Sequence, residues 1–227
     1  MLVPGHGERH HGAMTTADTP RLGNVAEPLH DDEIHVWKLD YQRAEGRKPL
    51  VRLLARYLAI EPSAVALREG GHGRPALAAV HGDALDFNWS HSGNHALIAV
   101  ARGIAPGVDI ERQRPRPKAL EIAQRFFSDD EIAVLASAAP ERRSGVFLDI
   151  WTAKEALLKA HGHGLSFGLD RLSVVGDDAL IQLRRFDGED VGGWQLQPLA
   201  LGQAFVGALA WRGEARRIRL RALASAV

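Results

Sequence analysis

The chain has 227 residues, with 28 Lys plus Arg balanced by 28 Asp plus Glu, 11 His and no Cys. That length suits one large domain or two small ones around an ample apolar core, and the missing cysteine excludes disulfide scaffolds, cysteine-ligated zinc or iron–sulfur sites and thiol nucleophiles. Zero formal charge argues against bulk affinity for nucleic acid or an anionic membrane, so any bound anion must be held locally.

Residues 1–30 are polar and aperiodic and read as a mobile tail. His6, His10 and His11 lie there among glycines without helical spacing, which gives a metal no ordered site. The segment lacks the basic start and apolar stretch of a signal peptide, and no apolar run reaches the roughly 20 residues of a membrane helix, so a cytoplasmic protein is expected. A strand is predicted at 33–39. Pro49 then stands at the start of a helix with Leu50, Leu53, Leu54, Tyr57 and Leu58 on one side. The glycine-rich 69–75 reads as a loop, and strands at 86–90 and 95–101 flank the turn at Gly93-Asn94.

A third strand, 107–111, carries Asp109 and Glu111 two residues apart, so both leave one face separated by about 6.6 Å. Carboxylates that close repel unless something positive joins them. A hard divalent ion would relieve the repulsion; a solvated strand edge screened by Arg112 and Arg114 is the plainer reading. The basic run Arg112, Arg114, Arg116 and Lys118 is equally compatible with an acidic partner surface and with a solvated loop. Two helices follow. Ser128 and Glu131 spell a capping box, while Pro140 opens a long helix closed by Gly162. Segments 171–175, 180–185, 194–199, 204–211 and 217–223 read as an antiparallel meander, making an α+β chain.

At 100° per residue the long helix places Phe147, Ile150, Trp151, Leu157 and Leu158 in one sector and Asp149, Thr152 and Lys159 opposite. Lys154 falls in the middle of the apolar sector. It must therefore snorkel out or meet an anion at the rim of a buried seam, since burial without a partner costs several kcal/mol. Glu155 sits at the sector border, about 40° from Lys159, where the pair is compatible with an ordinary surface contact. Ser90, His91 and Ser92 end the strand at 86–90 with short hydroxyls and an imidazole, suited to phosphate oxygens or simply to a hydrogen-bonded turn. No Gly-x-Ser-x-Gly frame makes either serine a nucleophile.

Phe87-Asn-Trp-Ser-His-Ser92, Gly107-Val-Asp-Ile-Glu111 and Trp151-Thr-Ala-Lys-Glu-Ala-Leu-Leu-Lys159 followed by Gly162-His-Gly-Leu165, in that order, resemble the 4′-phosphopantetheinyl transferases of the surfactin-synthetase type. Gly73-Arg-Pro75 looks like that family's Gly-Lys-Pro element, and the likeness spans about residues 70 to 175. The resemblance implies an α+β pseudo-dimer of two similar halves, each a small antiparallel sheet packed with helices. After the tail these would be residues 31–104 and 105–227, the second carrying the metal and catalytic motifs, with the active site at their junction.

It also implies a reaction in which the phosphopantetheine arm of coenzyme A moves to a serine of an acyl, polyketide or peptidyl carrier protein, releasing adenosine 3′,5′-bisphosphate. By family position Asp109, Glu111 and Glu155 would hold Mg²⁺ (or Mn²⁺). Glu155 would be the base for the carrier serine, directly or through a metal-bound water. Lys154 and Lys159 would contact phosphate, and Arg47, Arg74, Ser90 and His91 would bind the phosphates of coenzyme A. Two fused halves imply a monomer. In one respect the chain departs from the family: the helical segment rich in Glu and Arg that usually follows the first strand is missing, because Asp40 runs into Arg47 within a few residues. The alternative class is a non-catalytic relative that binds coenzyme A or a carrier. A pyrophosphate hydrolase would need a guided water, for which the sequence has no feature.

Overall fold

A computed structural model describes residues 28–70, 73–175 and 181–223. Most of the expected tail lies outside them. Its last residues do not behave as a tail: Leu29 is buried and its carbonyl accepts from Arg102 Nε at 3.2 Å.

The first half is built on β1 (Glu33–Asp40), α1 (Lys48–Leu58), β2 (Leu67–Glu69), β3 (Pro75–Leu77), β4 (Asp86–Ser92) and β5 (His95–Ala101). The second contains β6 (Gly107–Arg112), α2 (Ala119–Phe126), α3 (Asp129–Ser137), α4 (Pro140–His161), β7 (Leu172–Val175), β8 (Ile181–Phe186), β9 (Trp194–Pro198), β10 (Phe205–Arg212) and β11 (Arg217–Leu223). The architecture is α+β. One sheet runs β11-β1-β5-β4 and a second β6-β10-β9, with small hairpins β2–β3 and β7–β8. The glycine-rich segment is the connection of the first hairpin. Helix α2 carries no cap signal in the letters; it forms because Ala119 and Ala123 are buried on the second core.

The expected meander breaks twice: β7 and β8 pair only with each other, and the last strand leaves the second sheet. Instead of continuing the second sheet, β11 returns to the first and lies parallel to β1, Glu33 opposite Arg217 and Leu39 opposite Leu223. Arg219 Nε donates to Glu33 Oε1 at 3.1 Å and fixes the register. A boundary at 104/105 thus separates the elements in sequence, while the first sheet draws its edge strand from 217–223.

Period-two alternation distributes the strands among three apolar clusters. Trp37, Leu39, Ile98 and Val100 pack with Leu50, Leu53 and Leu54 of α1. Ile34, Val36, Leu97 and Ala99 face the other way, onto Val108, Ile110, Leu209 and Trp211 of the second sheet, and this shared layer joins the halves. The far side of the second sheet receives α4, together with α2, α3 and β7.

Helix α4 has Pro140 in its first turn and Gly162 at its end with φ +90°, as the letters imply. Its expected two-sided character fails, because it is enclosed by the second sheet on one side and by α2, α3 and β7 on the other. Thr152, expected on the polar side, is 1% exposed and its hydroxyl donates to the Leu148 carbonyl at 2.9 Å. The closest approach is at Gly107. A Cβ there would stand 2.0 Å from the Ala156 carbonyl oxygen and 2.4 Å from the Ala160 nitrogen, so only glycine lets α4 lie this near β6.

Candidate active site

Strands β4 and β6 belong to different sheets, and side chains join their neighbouring edges. Asn88 Oδ1 accepts from the Val108 N–H at 2.9 Å, Ser90 Oγ donates to Asp109 Oδ1 at 2.7 Å, and Ser92 Oγ donates to Glu111 Oε2 at 2.9 Å. These three residues alternate along β4 and so share a face. On β6, Val108 and Ile110 enter the shared core, which turns Gly107, Asp109 and Glu111 toward α4.

The approach of α4 at Gly107 brings Lys159 to the acids: its Nζ donates to Asp109 Oδ1 at 2.6 Å and to the Val108 carbonyl at 3.2 Å. Glu155, one helical turn earlier, lies near enough to feel both strand acids. Burial pushes its carboxyl up to about 7; Lys159 opposes this, while Asp109 and Glu111 add to it. A carboxyl poised near neutrality can take up a proton at working pH.

Glu155 and Lys159 form one wall of a cleft of about 320 Å³, completed by Arg47, Arg74, Trp89 and the turn at Gly162 and Gly164. Both halves of the chain thus line one site. Arg47, in the region where the sequence departs from the family, is among its residues. Arg74 is there too, but three of its N–H donations go to carbonyls: Lys159 at 2.5 Å, Pro106 at 2.9 Å and Phe87 at 3.0 Å. It ties β4, the start of β6 and the end of α4 together, and burial pulls its pKa down, with Asp86 opposing.

Other expected phosphate contacts are placed differently. Ser90 is 8% exposed and spends its proton on Asp109, so it positions an acid. His91 lies on the opposite face of β4 from Ser90, exposed, with its ring centroid 5.0 Å from that of Tyr41 and 5.7 Å from that of Trp89. Lys154 is corrected outright. It is 0% exposed, its ammonium donates to Glu131 Oε2 and to the Leu172 carbonyl at 2.7 Å, and it lies over the Phe127 ring. The anion its position demanded is internal. Glu131 also accepts from the Ser128 N–H at 3.0 Å, the expected half of the capping box, and from the Val174 N–H at 2.9 Å. Burial pulls the Lys154 pKa down to about 8, with Glu131 opposing.

Two features were missed in the letters. One is the seam itself: Ser92, read with Ser90 and His91 as a phosphate or turn donor, joins Asn88 and Ser90 in binding β6, and strict alternation along 88, 90 and 92 was the available signal. Arg116, grouped with the basic run, turns inward, its Nη2 donating to Glu111 Oε2 at 3.1 Å.

Among the described residues no group of three His, Asp or Glu side chains stands in position to hold a metal ion. The strand acids are met by Lys159 and Arg116 instead. The donor chemistry still suits a hard cation: Asp109 Oδ2 is buried without a hydrogen-bond partner, and an unpaired buried carboxylate oxygen gains most from a positive ligand.

Comparison with known proteins accords with this geometry. Residues 105–210 match the 4′-phosphopantetheinyl transferase superfamily. Over 173 residues the chain is 37% identical to slr0495 of Synechocystis sp., provisionally named for the same activity, covering 72% of this chain and 70% of the relative. It is 38% identical over 153 residues to the 4′-phosphopantetheinyl transferase HetI of Nostoc sp., covering 64% of this chain and 65% of that one. The Thermotoga maritima holo-[acyl-carrier-protein] synthase structure aligns over 48% of this chain and 62% of its own at 19% identity and a TM-score of 0.38, a slight likeness. The chain belongs to the 4′-phosphopantetheinyl transferase superfamily. Transfer of the phosphopantetheine arm of coenzyme A to a carrier protein, which the motifs implied, is the activity of that family.

Proposed function

We propose that the cleft between the halves is where this chain moves 4′-phosphopantetheine from coenzyme A to a carrier serine, with Asp109, Glu111 and Glu155 holding Mg²⁺ (or Mn²⁺) and acting as a monomer of the surfactin-synthetase type. The observation that carries this reading is that Lys159 holds Asp109 of the acid strand while Lys159 and Glu155 line a cleft together with Arg47 and Trp89 of the first half. Because one chain supplies all of these residues, a second copy is not needed to complete the site. Among the described residues no helix is long and apolar enough to cross a membrane.

The serine oxygen attacks the β-phosphorus of coenzyme A, the bond to the bridging oxygen breaks, and its electron pair leaves on adenosine 3′,5′-bisphosphate. Glu155 takes the serine proton as attack proceeds, a role suited to a carboxyl near 7. Lys159, 25% exposed beside Asp109, supplies positive charge to the transferring phosphoryl group, and Arg47, which lines the same cleft, adds to it. A bound divalent ion would add charge neutralisation on the pyrophosphate oxygens. Arg74, Ser90 and Ser92 hold these groups in place. The exposed basic residues Arg112, at the end of β6, and Arg114, just beyond it, are available to an acidic carrier surface.

Incubation of apo acyl, polyketide and peptidyl carrier proteins with coenzyme A, Mg²⁺ and this protein tests the reading by mass spectrometry. Gain of one phosphopantetheine mass on a carrier is the expected result. Bound coenzyme A with every carrier unchanged would identify a binding protein instead, and loss of coenzyme A without a carrier would identify a hydrolase.

A further inference from the structure

The two acids of β6 have different resident cations. Asp109 is met by Lys159 of α4, which lies on the cleft wall. Glu111 is met by Arg116, from a loop with no place in the reaction as described above. The backbone of Arg116 is fixed: Pro115 and Pro117 flank it, and its N–H donates to Ser144 Oγ at 2.9 Å. Its side chain is less firmly held. The side chain is 25% exposed and reaches Glu111 Oε2 through Nη2 at 3.1 Å, an oxygen that also accepts from Ser92 Oγ at 2.9 Å. Its Nε is buried with no hydrogen-bond partner. One donation to an oxygen shared with Ser92, with a second donor left unpaired, is weaker than the two-pronged contact arginine makes to a carboxylate or phosphate.

Charge counting gives the consequence. Asp109 and Glu111 bring two negative charges, and Lys159 and Arg116 bring two positive ones. A divalent cation coming to these carboxylates meets like charge at both, at separations where repulsion is strong even with substantial screening. The pyrophosphate of coenzyme A carries the negative charge that would draw both side chains off the acids.

We propose that Arg116 is a resident counter-ion of Glu111 that competes with the divalent cation for that carboxylate, so that cation and coenzyme A bind as a coupled pair, Arg116 passing from carboxylate to phosphate. This rests on the reading that Asp109, Glu111 and Glu155 hold the cation. It makes Arg116 a positioning residue: it sets when Glu111 is available and takes no proton or bond in the transfer.

Titration of the full chain with Mn²⁺, followed by electron paramagnetic resonance of the free ion, tests this with and without coenzyme A. Arg116→Gln is expected to tighten Mn²⁺ binding without coenzyme A by on the order of tenfold and to shrink the further tightening that coenzyme A brings. Arg116→Lys, which keeps the charge, is expected to restore the parent's behaviour. If the parent binds Mn²⁺ and Arg116→Gln binds it equally or more weakly, Arg116 only orients Glu111 and the proposal fails. If the parent binds no Mn²⁺ with or without coenzyme A, the cation reading itself fails and takes this proposal with it.

Discussion

Helix α4 carries two lysines five residues apart, each on a carboxylate, and the two pairs are opposites. At Glu131 both carboxylate oxygens and the ammonium of Lys154 are satisfied by protein groups, and both side chains are 0% exposed. At Asp109 one oxygen takes Ser90 and Lys159 while the other is buried without a partner, and Lys159 opens onto a cleft. A buried ion pair that is complete within the chain has no chemistry left for a ligand. An incomplete one retains it, because the missing partner must come from outside.

This contrast predicts that substitutions at the open pair change chemistry and those at the closed pair change stability. The largest effect is expected beside the open pair, one turn before Lys159, for Glu155→Gln, which removes the proposed proton acceptor with little change in shape. Phosphopantetheine transfer should fall by on the order of 10²–10⁴-fold while the thermal unfolding midpoint stays near the parent's. Equal loss of stability and activity would erase the distinction between the two pairs. At the closed pair, Lys154→Ala strands a buried Glu131 and is expected to cost about 3–5 kcal/mol in denaturant unfolding. Lys154→Met combined with Glu131→Gln keeps an acceptor for the Val174 N–H and should recover most of that loss. If Lys154→Ala instead weakens coenzyme A binding at unchanged stability, Lys154 faces phosphate after all.

Smaller effects sharpen how the open pair is held. Gly107→Ala forces a methyl against the Ala156 carbonyl, so α4 must back away from β6; a destabilisation of about 1–3 kcal/mol is expected, with transfer falling as Lys159 leaves Asp109. Fully retained activity in a stable Gly107→Ala protein would show that the tight approach is dispensable. The smallest effect concerns pH. Glu155 is raised to about 7, so it is protonated below that value and a carboxylate above it. On the proposed reading that Glu155 is a ligand of the cation, binding needs its carboxylate and releases the proton, so Mn²⁺ affinity should fall about tenfold per pH unit below about pH 7 and level off above it. Glu155→Gln should flatten that profile.

The open pair was largely legible in the letters. Alternation puts Asp109 and Glu111 on one face, and helical spacing puts Glu155 beside Lys159. The same spacing set Lys154 in an apolar sector and showed that it needed an anion. It did not show whose, because Glu131 lies 23 residues away on another helix and only packing brings them together. The different placing of Ser90 and His91 was hidden for another reason. A motif read as a unit hides the fact that neighbours on a strand point opposite ways, so one faces Asp109 while the other lies with Tyr41 and Trp89. Strand β11 was legible as a strand but not in its pairing: parallel partnership with a segment so distant leaves no local trace.

That pairing has a consequence for how the molecule assembles. Arg219 and Glu33, which meet at 3.1 Å, are 186 residues apart along the chain. A contact of such span closes late, after more local pairings have formed. During synthesis β1 emerges before β11 and keeps one edge unpaired until β11 has left the ribosome. The half that supplies Arg47 and Trp89 to the cleft is therefore finished after the half that supplies Glu155 and Lys159, and until then the exposed edge of β1 is the surface most open to mispairing.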